Sequence, residues 1–170
     1  MCCLQLFSMF VLGIAGDFNA GKSTVRRFLQ RHGWGGIDCD TIVHDLYLPG
    51  REGSRLIRGL CGDGVFFHNG RINRTALGHL LMAQNGLRIK VEHAVHPLVK
   101  EVVQSFIKQH VRKAIDKVCV EIPVYDSFVW RGILDALFWV TARDNLIKSR
   151  LPQRKKHLIS FVQKKMPLKN

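Results

Sequence analysis

Gly16, Gly21, Lys22 and Ser23 stand at the spacing G-x-x-x-x-G-K-[ST] inside the stretch GIAGDFNAGKST, Gly13 to Thr24. That pattern is suited to a polyphosphate. Backbone N–H groups wrap the phosphates, the lysine reaches the outer ones, and the hydroxyl ligates magnesium. On this reading Gly16, Asn19, Ala20, Gly21, Lys22, Ser23 and Thr24 form a nucleotide cradle. Asp17 should point outward, because a carboxylate beside bound phosphate repels it. The short amide of Asn19 tolerates a left-handed backbone. A second set of candidates is acidic: Asp38 and Asp40 in Ile37-Asp38-Cys39-Asp40, and Glu121 in Val118-Cys119-Val120-Glu121-Ile122. Carboxylates where a strand gives way to a helix lie at the carboxyl edge of a sheet, the edge at which open α/β sheets bind ligands.

The flanking residues supply the elements that would hold these groups. Phe10 to Ile14 is a short apolar run rich in strand formers, and Val25, Phe28 and Leu29 follow the loop at helical spacing. A short second strand is expected to end at Ile37–Asp40, and a helix through Thr41, Ile42, Val43, Leu46 and Tyr47 to stop at Pro49-Gly50. From Arg51 to about Ile115 helical spacing dominates, through Leu56, Ile57 and Leu60, then Leu77, Leu80 and Leu81, then Val95 to Ile107, with a turn at Asn69-Gly70. Val118–Ile122 and Ala136–Val140 read as buried strands, with a loop or short helix over Tyr125–Gly132 between them. The expected organisation is one domain: a core of residues 9–48 and 116–142, a helical substrate-binding insertion over 51–115, and a basic helical lid over 143–168.

Composition narrows the partners. The chain has 170 residues, 46% of them hydrophobic, enough for a proper core. Lys and Arg outnumber Asp and Glu by 26 to 13, a net charge of +13, so an anionic partner is expected. Five cysteines, Cys2, Cys3, Cys39, Cys61 and Cys119, are an odd number with no C-x-x-C pair, which favours reduced thiols in a cytoplasmic protein. A cysteine between Asp38 and Asp40 suggests a metal site, but alternating strand faces argue against it. The apolar start, Met1 to Phe10, lacks a basic n-region, and cleavage near Ala15 would destroy the loop, so export is not expected. Met9 leads directly into the first strand and is an alternative start. Leu134–Ala142 is too short to span a bilayer and contains Asp135.

With the aspartate pair and the basic tail on the page, the chain resembles the dephospho-CoA kinase family. The likeness is collinear over nearly its whole length. GDFNAGKST resembles the family's glycine-rich loop, and Ile37 to Gly50 its D-A-D-x-I-A-H segment ending in Pro-Gly. Asn69 to Leu77 is similar to D-G-x-L-D-R-x-x-L, and Glu92 to Val99 to E-x-I-x-H-P-x-V. Val120–Pro123 resembles a strand ending in an acid, an apolar residue and proline. Val140-Thr141-Ala142, then Leu146, Arg150-Leu151 and Arg154, are similar to V-T-A followed by R-L-x-x-R, and Met166-Pro167-Leu168 to Q-M-P-L.

The resemblance implies an α/β fold of the P-loop type, a parallel sheet flanked by helices. It also implies transfer of the ATP γ-phosphate to the ribose 3′-hydroxyl of dephospho-CoA, the last step of coenzyme A synthesis, with Mg2+. Lys22 would hold the β- and γ-phosphates. Ser23 would ligate the metal and Glu121 a metal-bound water; apart from the family, Glu121 reads equally as a stray carboxylate at a strand end. Asp40 would be the base for the acceptor hydroxyl, its alternative being the N-cap of the following helix, with Asp38 the substitute base. Arg150 and Arg154 would close over the phosphates. His44, Arg74 and His96 are expected at the substrate, although a histidine before proline at a helix start is more often a cap or a packed ring.

There are departures from the family pattern. Val124-Tyr125-Asp126-Ser127 replaces its usual run to a glutamate, Phe161 and Lys165 replace an arginine and a glutamine of the lid, and no counterpart of the family's fifth strand is expected before Asn170. The implied strand order 2-3-1-4-5 then leaves Ala136–Val140 as an apolar edge. Two other functions compete: a P-loop kinase for nucleosides or nucleoside monophosphates, and a non-catalytic nucleotide- or nucleic-acid-binding relative. The second is disfavoured because the basic tail lacks the interleaved aromatics that base stacking needs. Neither a membrane nor nucleic acid is an expected partner.

Overall fold

Residues 9–143 are described by a computed structural model. The basic segment expected as a lid, with Arg150 and Arg154, lies outside the described residues. The apolar run at the start becomes β1 (Phe10–Gly16), and three further strands follow: β2 (Gly35–Asp38), β3 (Lys117–Glu121) and β4 (Ala136–Val140). They form one parallel sheet in the order β2-β3-β1-β4, the first four places of the implied order.

Side chains alternate across the strands, so the sheet has two apolar faces. Val11, Val118 and Val120 point to one face, where they meet Ile42, Ile57, Val95, Val99 and Val103 of the helices α2 (Cys39–Leu46), α3 (Glu52–Cys61) and α5 (Asn85–Arg112). Ile14 and Cys119 point to the other, covered by Val25 and Leu29 of α1 (Lys22–Arg31). Val118, Cys119 and Val120 are each fully buried, which explains why β3 reads as a continuous apolar run and not an alternating one. Asp135 fastens the start of β4. Its carboxylate accepts from the Val11 N–H at 2.7 Å, and its own N–H donates to the Val11 carbonyl at 2.9 Å.

Between β2 and β3 come α2, α3, a 3-10 turn at Asp63–Val65, α4 (Arg74–Ala83) and α5. Gly70 turns the chain at φ 77°, so that Phe66 and Ile72 make an isolated antiparallel bridge. The structure departs from expectation at α5. His96-Pro97 does not start that helix; it runs 28 residues from Asn85 with Pro97 inside. Proline removes only the bond to the carbonyl four residues back. That residue, His93, is exposed, so water can satisfy the freed carbonyl, while Val91, Val95, Leu98 and Val99 continue one buried stripe across the proline. A four-residue helix, α6 (Ser127–Trp130), fills the segment before β4. Among the described residues β4 pairs only with β1, and Leu137, Phe138 and Trp139 are exposed.

Candidate active site

The loop between β1 and α1 is shaped by two residues at positive φ, Asn19 at 60° and Gly21 at 108°, the latter capping α1. No side chain caps α1 and no acid lies in its first turn, an arrangement that favours an anion at this helix end. Gly16 is required for a different reason. A Cβ there would lie 2.0 Å from the Val140 carbonyl oxygen, because β4 runs directly alongside. Lys22 folds back over the loop, its Nζ donating to the carbonyls of Gly16 at 3.1 Å and Asp17 at 2.9 Å. Burial pushes the Lys22 ammonium below its ordinary pKa, against the opposing pull of Glu121, Asp40 and Asp17.

Facing the loop are the ends of β2 and β3, where Asp38 and Glu121 are register partners. Glu121 is almost wholly buried, at 7% exposure, and both its oxygens are engaged. One accepts from the Ser23 hydroxyl at 2.6 Å, the other from Nε of Arg26 at 2.8 Å. Arg26 was readable in the sequence only as one of several polar residues on α1; the signal that could have found it is its position one turn after Ser23, on the same helix face.

Asp38 and Asp40 take different tasks. The strand ends at Asp38, not at Asp40, and Cys39 already begins α2. Asp38 is the cap: its carboxylate accepts from the Asp40 N–H at 2.9 Å and the Thr41 hydroxyl at 3.2 Å. Cys39 is therefore set apart from the acids by helix geometry, not by strand alternation. Its thiol is buried, and burial pushes its pKa up to about 12, helped by Asp38 and Asp40. Asp40, relieved of capping, is exposed and close enough to Lys22 for the two charges to interact. Desolvation, then Asp38 and Glu121, raise its pKa above the ordinary 3.8, while His44 and Lys22 oppose the rise. A carboxylate of raised basicity next to a phosphate cradle is equipped to take a proton.

One turn beyond Asp40 on α2, His44 is hydrogen-bonded to Arg74 at the start of α4. Both line a cleft of about 600 Å³ that also contains Tyr47, Phe67, Arg71 and Asn73. Arg74 is placed there by the cap of α4, where the Asn73 carboxamide accepts from the Ala76 N–H at 3.1 Å. Thus the structure brings Lys22, Ser23, Glu121 and Asp40 together, with His44 and Arg74 in the adjoining cleft. His96 is half-buried within α5 and is not among the residues that line this cleft.

A parallel sheet with a glycine-rich loop leading into a helix N-terminus, and carboxylates at the neighbouring strand ends, defines a P-loop domain of the kinase type. Comparison with known proteins makes the assignment specific. The family model described as Dephospho-CoA kinase matches residues 10–166, and the chain belongs to that family. It is 34% identical over 148 residues to a dephospho-CoA kinase of Symbiobacterium thermophilum, covering 86% of this chain and 61% of the relative, so it spans about three-fifths of that protein's length. It is 31% identical to a dephospho-CoA kinase of Dehalococcoides mccartyi, covering 86% of this chain and 73% of that one. A crystal structure from Thermus thermophilus shares the fold with a TM-score of 0.75 at 23% identity, over 94% of this chain and 82% of that one. The dephospho-CoA kinase structure from Campylobacter jejuni does so with a TM-score of 0.55 at 19% identity, over 91% and 81%.

Proposed function

We propose that this protein transfers the γ-phosphate of ATP to the ribose 3′-hydroxyl of dephospho-CoA, giving coenzyme A and ADP. The observation that carries the reading is the convergence of Asp40, of raised basicity, with Lys22 and the Ser23–Glu121 pair at one sheet edge. Phosphoryl transfer asks a protein mainly for positioning and neutralisation of charge. The loop N–H groups and Lys22 supply these for the phosphates. Asp40 accepts the proton of the attacking hydroxyl as its oxygen bonds to phosphorus and ADP leaves. The cleft beside Asp40 suits the remainder of the acceptor, with Arg71 and Arg74 for its phosphates and Tyr47 and Phe67 for its apolar arm.

Magnesium would be held by Ser23 directly and by Glu121 through a water. Among the described residues no three His, Cys, Asp or Glu side chains gather as a metal cage. That suits an ion which takes its other ligands from phosphate and water. The described cysteines, Cys39, Cys61 and Cys119, are free thiols, consistent with a cytoplasmic enzyme. Arg150 and Arg154 are assigned to the closing lid on the resemblance alone.

The test is magnesium-ATP turnover with dephospho-CoA, with nucleoside monophosphates as competing acceptors. Coenzyme A should form. Asp40→Asn should lower kcat by about 10² to 10⁴ while leaving the fold intact, and Lys22→Ala should abolish turnover. Preference for a nucleoside monophosphate, or unchanged kcat in Asp40→Asn, overturns the assignment.

A further inference from the structure

Among the described residues, Arg26 pairs with both strand-end carboxylates, Asp38 and Glu121, and no part of the phosphate-transfer reading uses it. We propose that Arg26 is a positioning residue which, through Glu121, commits the Ser23 hydroxyl to binding a divalent cation together with the nucleotide. The proposal rests on the reading of the loop as a metal-nucleotide site.

Asp38 and Glu121 are direct partners on adjacent parallel strands. Their side chains therefore leave the sheet on the same face, with strands about 4.8 Å apart. Two anions so placed repel, and Glu121 has almost no access to water to relieve it. Arg26 answers both. Its Nε donates to Glu121 at 2.8 Å, one terminal nitrogen lies 3.8 Å from Asp38, and the other donates to the Gln30 carboxamide at 3.0 Å. Its side chain is only 18% exposed. The guanidinium fork is hydrogen-bonded at two points and ion-paired at a third, a geometry that a lysine ammonium could not reproduce in the same plane.

The consequence falls on the oxygen of Glu121 that Arg26 does not hold. With Oε2 pinned, Oε1 is fixed as acceptor for Ser23 at 2.6 Å. A hydroxyl whose proton is committed to a carboxylate keeps its lone pairs for a cation. Partners of this kind, one bond removed from the ligand, orient it and raise its basicity. Ser23 and Arg26 are one turn apart on α1, so a single helix face presents both the ligand and the residue that steadies its partner. Without Arg26, Glu121 is free to turn and Ser23 loses its fixed acceptor.

The experiment compares binding of Mn2+·ADP with binding of metal-free ADP, by calorimetry and by the electron paramagnetic resonance signal of Mn2+, in wild type, Arg26→Ala, Arg26→Gln and Arg26→Lys. Arg26→Ala should weaken Mn2+·ADP by about 10- to 100-fold and leave metal-free ADP within about twofold. Arg26→Lys should restore part of the loss. Arg26→Gln, similar in bulk and uncharged, should fold as wild type and still show the defect. Equal weakening of both ligands, or none of either, or tighter Mn2+·ADP binding in the variants, overturns the role given to Arg26. Wild type that binds neither ligand overturns instead the nucleotide-site reading on which it rests.

Discussion

Replacing Gly16 by alanine should separate β4 from the loop and remove a large part of the domain's stability. Gly16 has φ 140°, a conformation costing an L residue about 1–3 kcal/mol. Its Cβ would sit 2.0 Å from the Val140 oxygen and 2.6 Å from the Val140 nitrogen, both backbone atoms that no rotamer can move aside. Relief requires β4 to retreat by about an ångström, with an overpacking penalty of about 1–3 kcal/mol. The retreat also breaks the bond from the Asp17 N–H to the Val140 carbonyl, now 3.0 Å, at about 0.5–1.5 kcal/mol. The total, about 2.5–7.5 kcal/mol, is a large part of the stability of an ordinary domain. Gly70→Ala is the matched comparison. Gly70 has φ 77° with open space where the Cβ would be, so only backbone strain of about 1–2 kcal/mol is expected. Urea unfolding followed by circular dichroism gives both values. A Gly16→Ala cost within about 1 kcal/mol of the Gly70→Ala cost would refute the close approach of β4 as the reason for the glycine.

Three further outcomes follow from the site and its supporting helix. The pKa of Asp40 is raised in the folded protein, so its contribution to stability is fully present below 3.8 and is lost as pH rises through the raised value. Asp40→Asn should therefore have a higher Tm than wild type at pH 7 and no advantage near pH 3, as melting curves across that range will report. If the proposed activity holds, the acid limb of kcat/KM of the wild-type protein should lie above pH 3.8; a limb at or below that value removes Asp40 as the base. Asn73→Ala deletes the cap of α4 and should cost about 1 kcal/mol in urea unfolding, with Asn73→Ser recovering most of it.

The strands, the phosphate loop and the helical character of the insertion could be read from sequence because each is a local matter. Apolar runs and periodicities announce themselves over a few residues. The division of work between Asp38 and Asp40 could not. It depends on where β2 stops, and that is decided by which carboxylate reaches back to the Asp40 N–H. The same holds for Pro97, whose local preference is to begin a helix but which is carried inside α5 by a buried stripe on either side. Arg26 was hidden for a third reason. Its two anionic partners lie at Asp38 and Glu121, and only the pairing of β2 with β3 brings them to it.

The register of β1 bears on how the protein is made. β1 is the second strand from one margin of the sheet, and both its neighbours, β3 and β4, lie more than one hundred residues later in the chain. At about 5–20 residues per second, a ribosome delivers β3 roughly 5–20 s after β1. Through that interval the strand that carries the phosphate loop has neither of its hydrogen-bonding partners. The nascent loop therefore lacks both of the strands that flank it until β3 arrives. During synthesis β1 is an apolar strand with two open sides, and long-range parallel pairing of this kind is slow and exposed to aggregation.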